Sequence, residues 1–185
     1  MPRADAQRNV EALVTAAKTE FAEHGVDANV RAIAARAGVG TATLYRHFPQ
    51  RSDLIAAVFR HEIDACAAAA PALSADNEPD QALELWLQRY TEFVATKHGL
   101  AESLHSGDPA YSALPEYFSE RLGPVLADLL AAAEDAGAIR AGMDPIDLLG
   151  TVSNLCIPPP GTDDPGRAHR MVGLLLDGLR YRANR

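Results

Sequence analysis

Apolar residues recur at three- and four-residue spacing through most of the chain, and nowhere do they alternate with the period of two that a half-buried strand requires. The first segment sets the pattern. Val10, Leu13, Val14, Ala17, Phe21 and Ala22 form a stripe opposite Glu11, Lys18 and Glu20, predicting a helix over 7–24 that Gly25 stops. Asn29 is placed to cap a short helix over 30–37, Gly38-Val39-Gly40 makes a tight turn, and a second short helix over 41–47 ends at Phe48-Pro49. Ser52-Asp53 opens a longer helix over 54–70, which Pro71 is expected to end. Residues 71–80 have the composition of a connection. Beyond them helices are predicted at about 80–97, 99–106, 115–136, 145–157 and 166–182, with Asp144-Pro145 as cap and first-turn proline of the fourth of these. Gly123-Pro124 interrupts the 115–136 stretch and is expected either to widen a cavity there or to start a new helix at Pro124. The fold class is all-α, with about nine helices.

Charge changes this picture only when it is resolved by position. The whole chain carries a formal −8 with a pI near 5.2, which speaks against a nucleic-acid partner. Yet residues 28–52 hold Arg31, Arg36, Arg46 and Arg51 and no acidic residue. From residue 65 onward there are nine basic and seventeen acidic residues, so the deficit lies wholly in that part. No run of apolar residues reaches membrane-spanning length, and the first residues lack the apolar core of a signal peptide. Cys66 and Cys156 stand far apart, without metal-ligand spacing, and read as reduced thiols in a cytoplasmic protein. His24 and His61 have no carboxylate or metal partner at convincing spacing. No catalytic or phosphate-binding motif occurs, so an enzyme is not the expected reading and no cofactor is implied.

Two short helices joined by a glycine-bearing turn have the geometry of a helix-turn-helix. Ile33, Ala34, Ala37, Val39, Leu44 and Phe48 supply its apolar contacts, which leaves Thr41, Ala42, Thr43, Tyr45, Arg46 and His47 facing outward. Hydroxyls, a guanidinium and a small alanine suit base edges and phosphates in a major groove. Arg31 begins the preceding helix, and Arg51 stands just before the next, where a cation and a helix N-terminus together can hold phosphate. Arg36 and Arg60 read as solvated face charges.

The run Phe21-Ala22-Glu23-His24-Gly25, then Val30-Arg31-Ala32-Ile33-Ala34, then Gly38-Val39-Gly40-Thr41-Ala42-Thr43-Leu44-Tyr45-Arg46-His47-Phe48, resembles the N-terminal domain of TetR-family transcriptional regulators. The resemblance covers about the first 65 residues. It implies a homodimer whose C-terminal domain binds a small-molecule effector and releases a palindromic DNA operator, most often as a repressor. By position it implies phosphate contacts from Thr43, Tyr45, His47 and Arg51 and base contacts from Arg31, Thr41 and Ala42. Asn29 and Gly40 depart from the family's usual Ser or Thr at those caps. The division that follows is a DNA-binding domain over 1–64 and a helical ligand-binding and dimerisation domain over 65–185.

In the second half, Trp86, Tyr90, Phe93, Lys97, Tyr117, Phe118, Leu122 and Val152 form the candidate effector pocket, apolar walls with a few polar groups. His98, Ser103, His105, Ser153 and Asn154 add polarity nearby, and the acidic excess favours a neutral or cationic ligand. Each of these residues taken singly also reads as ordinary core. Leu148, Leu149, Val152 and Leu155, with Met171, Val172, Leu174, Leu175, Leu176 and Leu179, form stripes suited to a dimer bundle, and Gly150, Gly173 and Gly178 permit close approach. The alternatives are a helical-bundle small-molecule-binding protein or enzyme, and a regulator switched by a protein partner.

Overall fold

The computed structural model describes residues 3–99, 104, 106–157, 164 and 166–181. Its secondary structure is helical: α1 (Arg3–His24), α2 (Val30–Arg36), α3 (Thr41–His47), α4 (Arg51–Asp76), α5 (Pro79–Gly99), a 3-10 turn (Pro109–Tyr111), α6 (Leu114–Asp135), α7 (Pro145–Leu155) and α8 (Arg167–Arg180). The helix expected over 99–106 falls mostly outside the described residues. Among those described, no helix is long and apolar enough to cross a membrane.

Two helix boundaries differ from the sequence pattern. Pro71 does not end α4, which continues through it to Asp76. A proline inside a helix forfeits one backbone bond and pushes its ring toward the preceding turn. Here the preceding turn is Ala67-Ala68-Ala69-Ala70, a run of the strongest helix formers that offsets part of that cost, and Pro71 itself is exposed. The connection therefore shrinks from 71–80 to Asn77-Glu78, with the Asn77 amide donating to the Leu73 carbonyl at 2.9 Å and Pro79 opening α5. Pro124 likewise stays within α6. Gly123 beside it is buried, and a Cβ there would meet Ile146 Cδ1 at 3.2 Å, so the glycine serves a close approach of α7.

The chain divides into two compact units, one of Met1–Glu62 with Thr96–Pro115, the other of Ile63–Ala95 with Glu116–Arg185. In the first, α1 packs on α2 and α2 on α3. Leu13, Ala17, Ile33, Leu44, Leu54 and Val58 are almost wholly excluded from water and form its centre. Lys18 on α1 pairs with the buried Glu62 carboxylate on α4 at 2.8 Å. Tyr111 is also buried here, on a turn that Asp108 starts by accepting from Ala110 N–H at 2.9 Å.

In the second unit, Trp86, Leu87, Tyr90, Leu122, Leu126, Leu148, Val152, Val172 and Leu176 form the core. Asp144 caps α7, its Oδ1 accepting from the backbone N–H groups of Ile146 at 2.8 Å and Asp147 at 2.9 Å. Arg180 ties α8 to α5 through Glu84 at 2.9 Å and Asp80 at 3.1 Å.

Candidate nucleic-acid interface

The helix-turn-helix is assembled by local chemistry. Asn29 Oδ1 accepts from Arg31 N–H at 2.8 Å and starts α2, doing the work expected of a Ser or Thr cap. Gly38 takes a φ of +70°, a conformation costly for any residue with a Cβ, and lets Val39 N–H reach back to the Ala34 carbonyl at 3.0 Å. Gly40 caps α3 without a side chain, its carbonyl accepting from Thr43 and Leu44.

Leu44 and Phe48 point into the core, which fixes the rotation of α3 and so decides what it shows to water. Ala42, Tyr45 and Arg46 are exposed, Tyr45 at 54%, while Thr41, Thr43 and His47 are half-buried at the margins. Arg31 is exposed at the start of α2. Seven of the eight residues singled out from the sequence thus stand at the surface on α2 and α3.

The eighth, Arg51, is held differently from the phosphate-facing cation anticipated for it. Its guanidinium donates to the Val26 carbonyl and, at 3.0 Å, to the Ala28 carbonyl, so it braces the loop that leads into α2. Arg36 is exposed, as a face charge would be, but it is also ion-paired: Nε lies 2.7 Å from the buried Glu20 and a terminal nitrogen 2.8 Å from Glu23, tying α2 to α1. The hydrogen bond to Glu20 holds the Arg36 guanidinium further above its ordinary range. His24 has a carboxylate partner after all, Nδ1 lying 3.3 Å from Glu20. Glu20, Glu23 and His24 place potential ligand atoms within 4.8 Å of one another, but Arg36 already supplies the cation there. Among the described residues, the side chains of Arg31 and Arg46 carry no such commitment. Arg51 keeps its full charge, because carbonyl acceptors do not neutralise it, so the positive character of this head comes from Arg31, Arg46 and Arg51 together.

An expected consequence separates the two readings of Arg51. Lysine keeps the charge but not the fork that reaches two carbonyls at once. Arg51→Lys should lower the unfolding free energy by about 1–2 kcal/mol in urea titrations, close to the loss for Arg51→Ala. Wild-type stability in Arg51→Lys would leave the brace without energetic weight.

The candidate effector cluster lies in the second unit. Ring centroids are 5.9 Å apart for Trp86–Tyr90, 5.8 Å for Tyr90–Phe93 and 5.9 Å for Phe93–Phe118, an array of stacked rings. Tyr90 donates to the Leu149 carbonyl at 3.2 Å, and its oxygen lies 2.7 Å from the Ser153 hydroxyl. Burial pushes the Tyr90 phenol far above its usual range, so it remains a donor. Leu122 and Val152 are fully buried in the same unit, and Phe118 is half-buried. Tyr117 stands apart from the rings. Its hydroxyl donates to Asp64, 2.8 Å away, whose carboxylate also pairs with Arg121 at 2.8 Å. The side chains of Lys97 and His98, together with Ser103 and His105, lie outside the described residues.

A trihelical head whose third helix is exposed, cationic and hydroxyl-bearing defines a helix-turn-helix DNA-binding protein. The family of bacterial regulatory proteins of the tetR type matches residues 13–58, and the C-terminal domain of SbtR-like transcriptional regulators matches residues 78–181. A TetR transcriptional regulator from Streptomyces coelicolor is 34% identical over 92% of this chain and 98% of its own, with a TM-score of 0.74. A TetR regulator from Mycobacterium vanbaalenii is 31% identical over 97% and 99%, with a TM-score of 0.72. One from Rhodococcus, 20% identical over 94% and 99%, shares the fold at a TM-score of 0.71. Comparison with functionally curated proteins yields no match. The chain belongs to the TetR family and is a transcriptional regulator with a helix-turn-helix DNA-binding head.

Proposed function

We propose that this regulator is a homodimeric repressor that holds a palindromic operator through α2 and α3 and releases it when a small molecule binds among the helices of the second unit. The observation that carries the DNA-binding half is the outward face of α3, where Tyr45 and Arg46 are exposed over a buried Leu44. On this reading Arg31, Thr41 and Ala42 read base edges. Thr43, Tyr45 and His47 hold phosphates, Arg46 adds charge to the same face, and the three guanidinium N–H groups Arg51 has left are available to phosphate.

The dimer is supported by the outer face of α7 and α8, which pack on each other. Ile146 and Ile157 on one side, and Leu174 and Tyr181 on the other, are about half to three-quarters exposed. Gly150 and Gly178 open onto empty space on the same two helices. Apolar residues around bare backbone suit a two-fold contact, and two recognition helices must meet major grooves roughly 34 Å apart. Effector release needs unequal affinity of the ligand for the DNA-bound and free conformations. Gel shift on the DNA upstream of the protein's own gene, repeated with every compound that raises its melting temperature, tests the proposal. At least one such compound should free the DNA. If all of them stabilise the protein and none displaces it, the switch is not a small molecule of this kind.

A further inference from the structure

α4 belongs to both units. It is one helix from Arg51, just after the helix-turn-helix, to Asp76, with its residues up to Glu62 in the first unit and those from Ile63 onward in the second. No glycine or proline falls between Arg51 and Ala70, so nothing in the sequence breaks its backbone ladder there. From Arg51 to Asp64 such a helix rises roughly 20 Å. A carboxylate stands on each side of the crossing. Glu62, the last residue in the first unit, is held by Lys18 of α1 at 2.8 Å. Asp64, the second residue in the other unit, is held by α6.

That hold is made within the second unit. The Tyr117 hydroxyl donates to the Asp64 carboxylate, 2.8 Å from each of its oxygens, and Arg121 Nε donates to Oδ1 at 2.8 Å. Arg121 is exposed, and a solvated pair of that kind contributes little. Tyr117 is half-buried, so its bond carries more of the attachment. Burial, and then the bond to Asp64, push the phenol above its ordinary range and keep it a donor. Phe118, the next residue of α6, reaches the ring cluster instead, 5.9 Å from Phe93 and 6.2 Å from Tyr90. Trp86, Tyr90 and Phe93 are buried, so an occupant approaching the array meets half-buried Phe118 first. We infer that Tyr117 and Asp64 form the link by which occupancy of the ring cluster reaches the DNA-binding head. An occupant that reseats Phe118 carries Tyr117 off Asp64, and α4 loses its hold on α6 beside the crossing. This link rests on the effector site proposed above and adds to it the side chains that transmit. Tyr117 and Asp64 are positioning residues: they act through α4, keeping it in the operator-binding arrangement while the cluster is empty.

Tyr117→Phe, Asp64→Ala and the double variant test the link by two readouts on full-length protein. Neither position is fully buried, so both variants keep the fold. In the DNA-free protein, amide hydrogen exchange over residues 54–62, in the first unit, should quicken about tenfold in each variant. Affinity for labelled upstream DNA, measured by anisotropy, should fall about tenfold in each single variant and no further in the double one. A bond that serves only local structure leaves both readouts at wild-type values, and that result overturns the proposal. So does a double variant whose loss of affinity is the product of the two single losses. Exchange needs no operator. A wild type that ignores the upstream DNA therefore counts against the repressor reading, while the exchange rates over 54–62 still decide the link.

Discussion

Trp86→Ala should cost the protein about 3–5 kcal/mol of stability, the largest loss expected for a single substitution in the second unit. Trp86 is entirely excluded from water, its ring lies parallel to that of Tyr90 at 5.9 Å, and its indole N–H donates to the Cys66 carbonyl at 3.0 Å. Alanine removes the apolar surface, the stacking partner and the hydrogen bond together, and leaves a void that neighbouring rings fill only partly. Trp86→Phe should lose less than half as much, since it keeps a ring against Tyr90. Urea titration followed by far-ultraviolet circular dichroism measures both. Equal losses for the two variants would mean that the indole N–H, not the packed ring, dominates.

Leu174→Glu should convert the proposed dimer to a monomer and lower operator affinity about a hundredfold or more, because the second half-site loses its tethered head. Leu174 is 66% exposed within the single chain, so a charge there leaves the fold of one protomer nearly untouched. Across an apolar two-fold contact the same charge meets its copy and loses water. Sedimentation measures the mass and fluorescence anisotropy the affinity. A dimer that persists in Leu174→Glu with full operator affinity would place the two-fold contact elsewhere.

What the sequence made legible was local. The caps at Asn29 and Asp144 each bind backbone N–H groups two or three residues away, so composition and spacing were enough to place them. The outward face of α3 followed from helical periodicity once Leu44 and Phe48 were assigned to the core. Charges that act across long sequence separation were not legible. Arg36 meets Glu20 and Glu23 only because α2 packs on α1, although Glu20 and Glu23 stand one turn apart and so share a face. Arg51 reaches the Val26 and Ala28 carbonyls, and Tyr117 and Arg121 converge on Asp64, through tertiary contacts with no mark in composition. The continuation of α4 through Pro71 is not legible in a rule that takes proline alone. A proline's local penalty is partly offset by the helix propensity of the four alanines before it.

The same contacts revise the charge argument. Of the four arginines in the basic segment, Arg36 is paired with two glutamates, which leaves the field at the proposed DNA-facing surface to Arg31, Arg46 and the carbonyl-bound but still charged Arg51. Few phosphates are then neutralised per protomer, and the acidic excess beyond residue 65 opposes further non-specific attraction. Discrimination between sequences should therefore rest on α3 more than on bulk electrostatics.

The central claim is that the exposed face of α3 grips the duplex. Anisotropy titrations of labelled upstream DNA over a series of salt concentrations, with wild type, Arg46→Ala and Tyr45→Ala, test it most directly. Wild-type affinity should fall linearly on a log–log plot, Arg46→Ala should flatten that slope by about one unit per lost phosphate contact, and Tyr45→Ala should weaken binding at every salt concentration. Binding that is insensitive to salt, or that both variants retain in full, would contradict it.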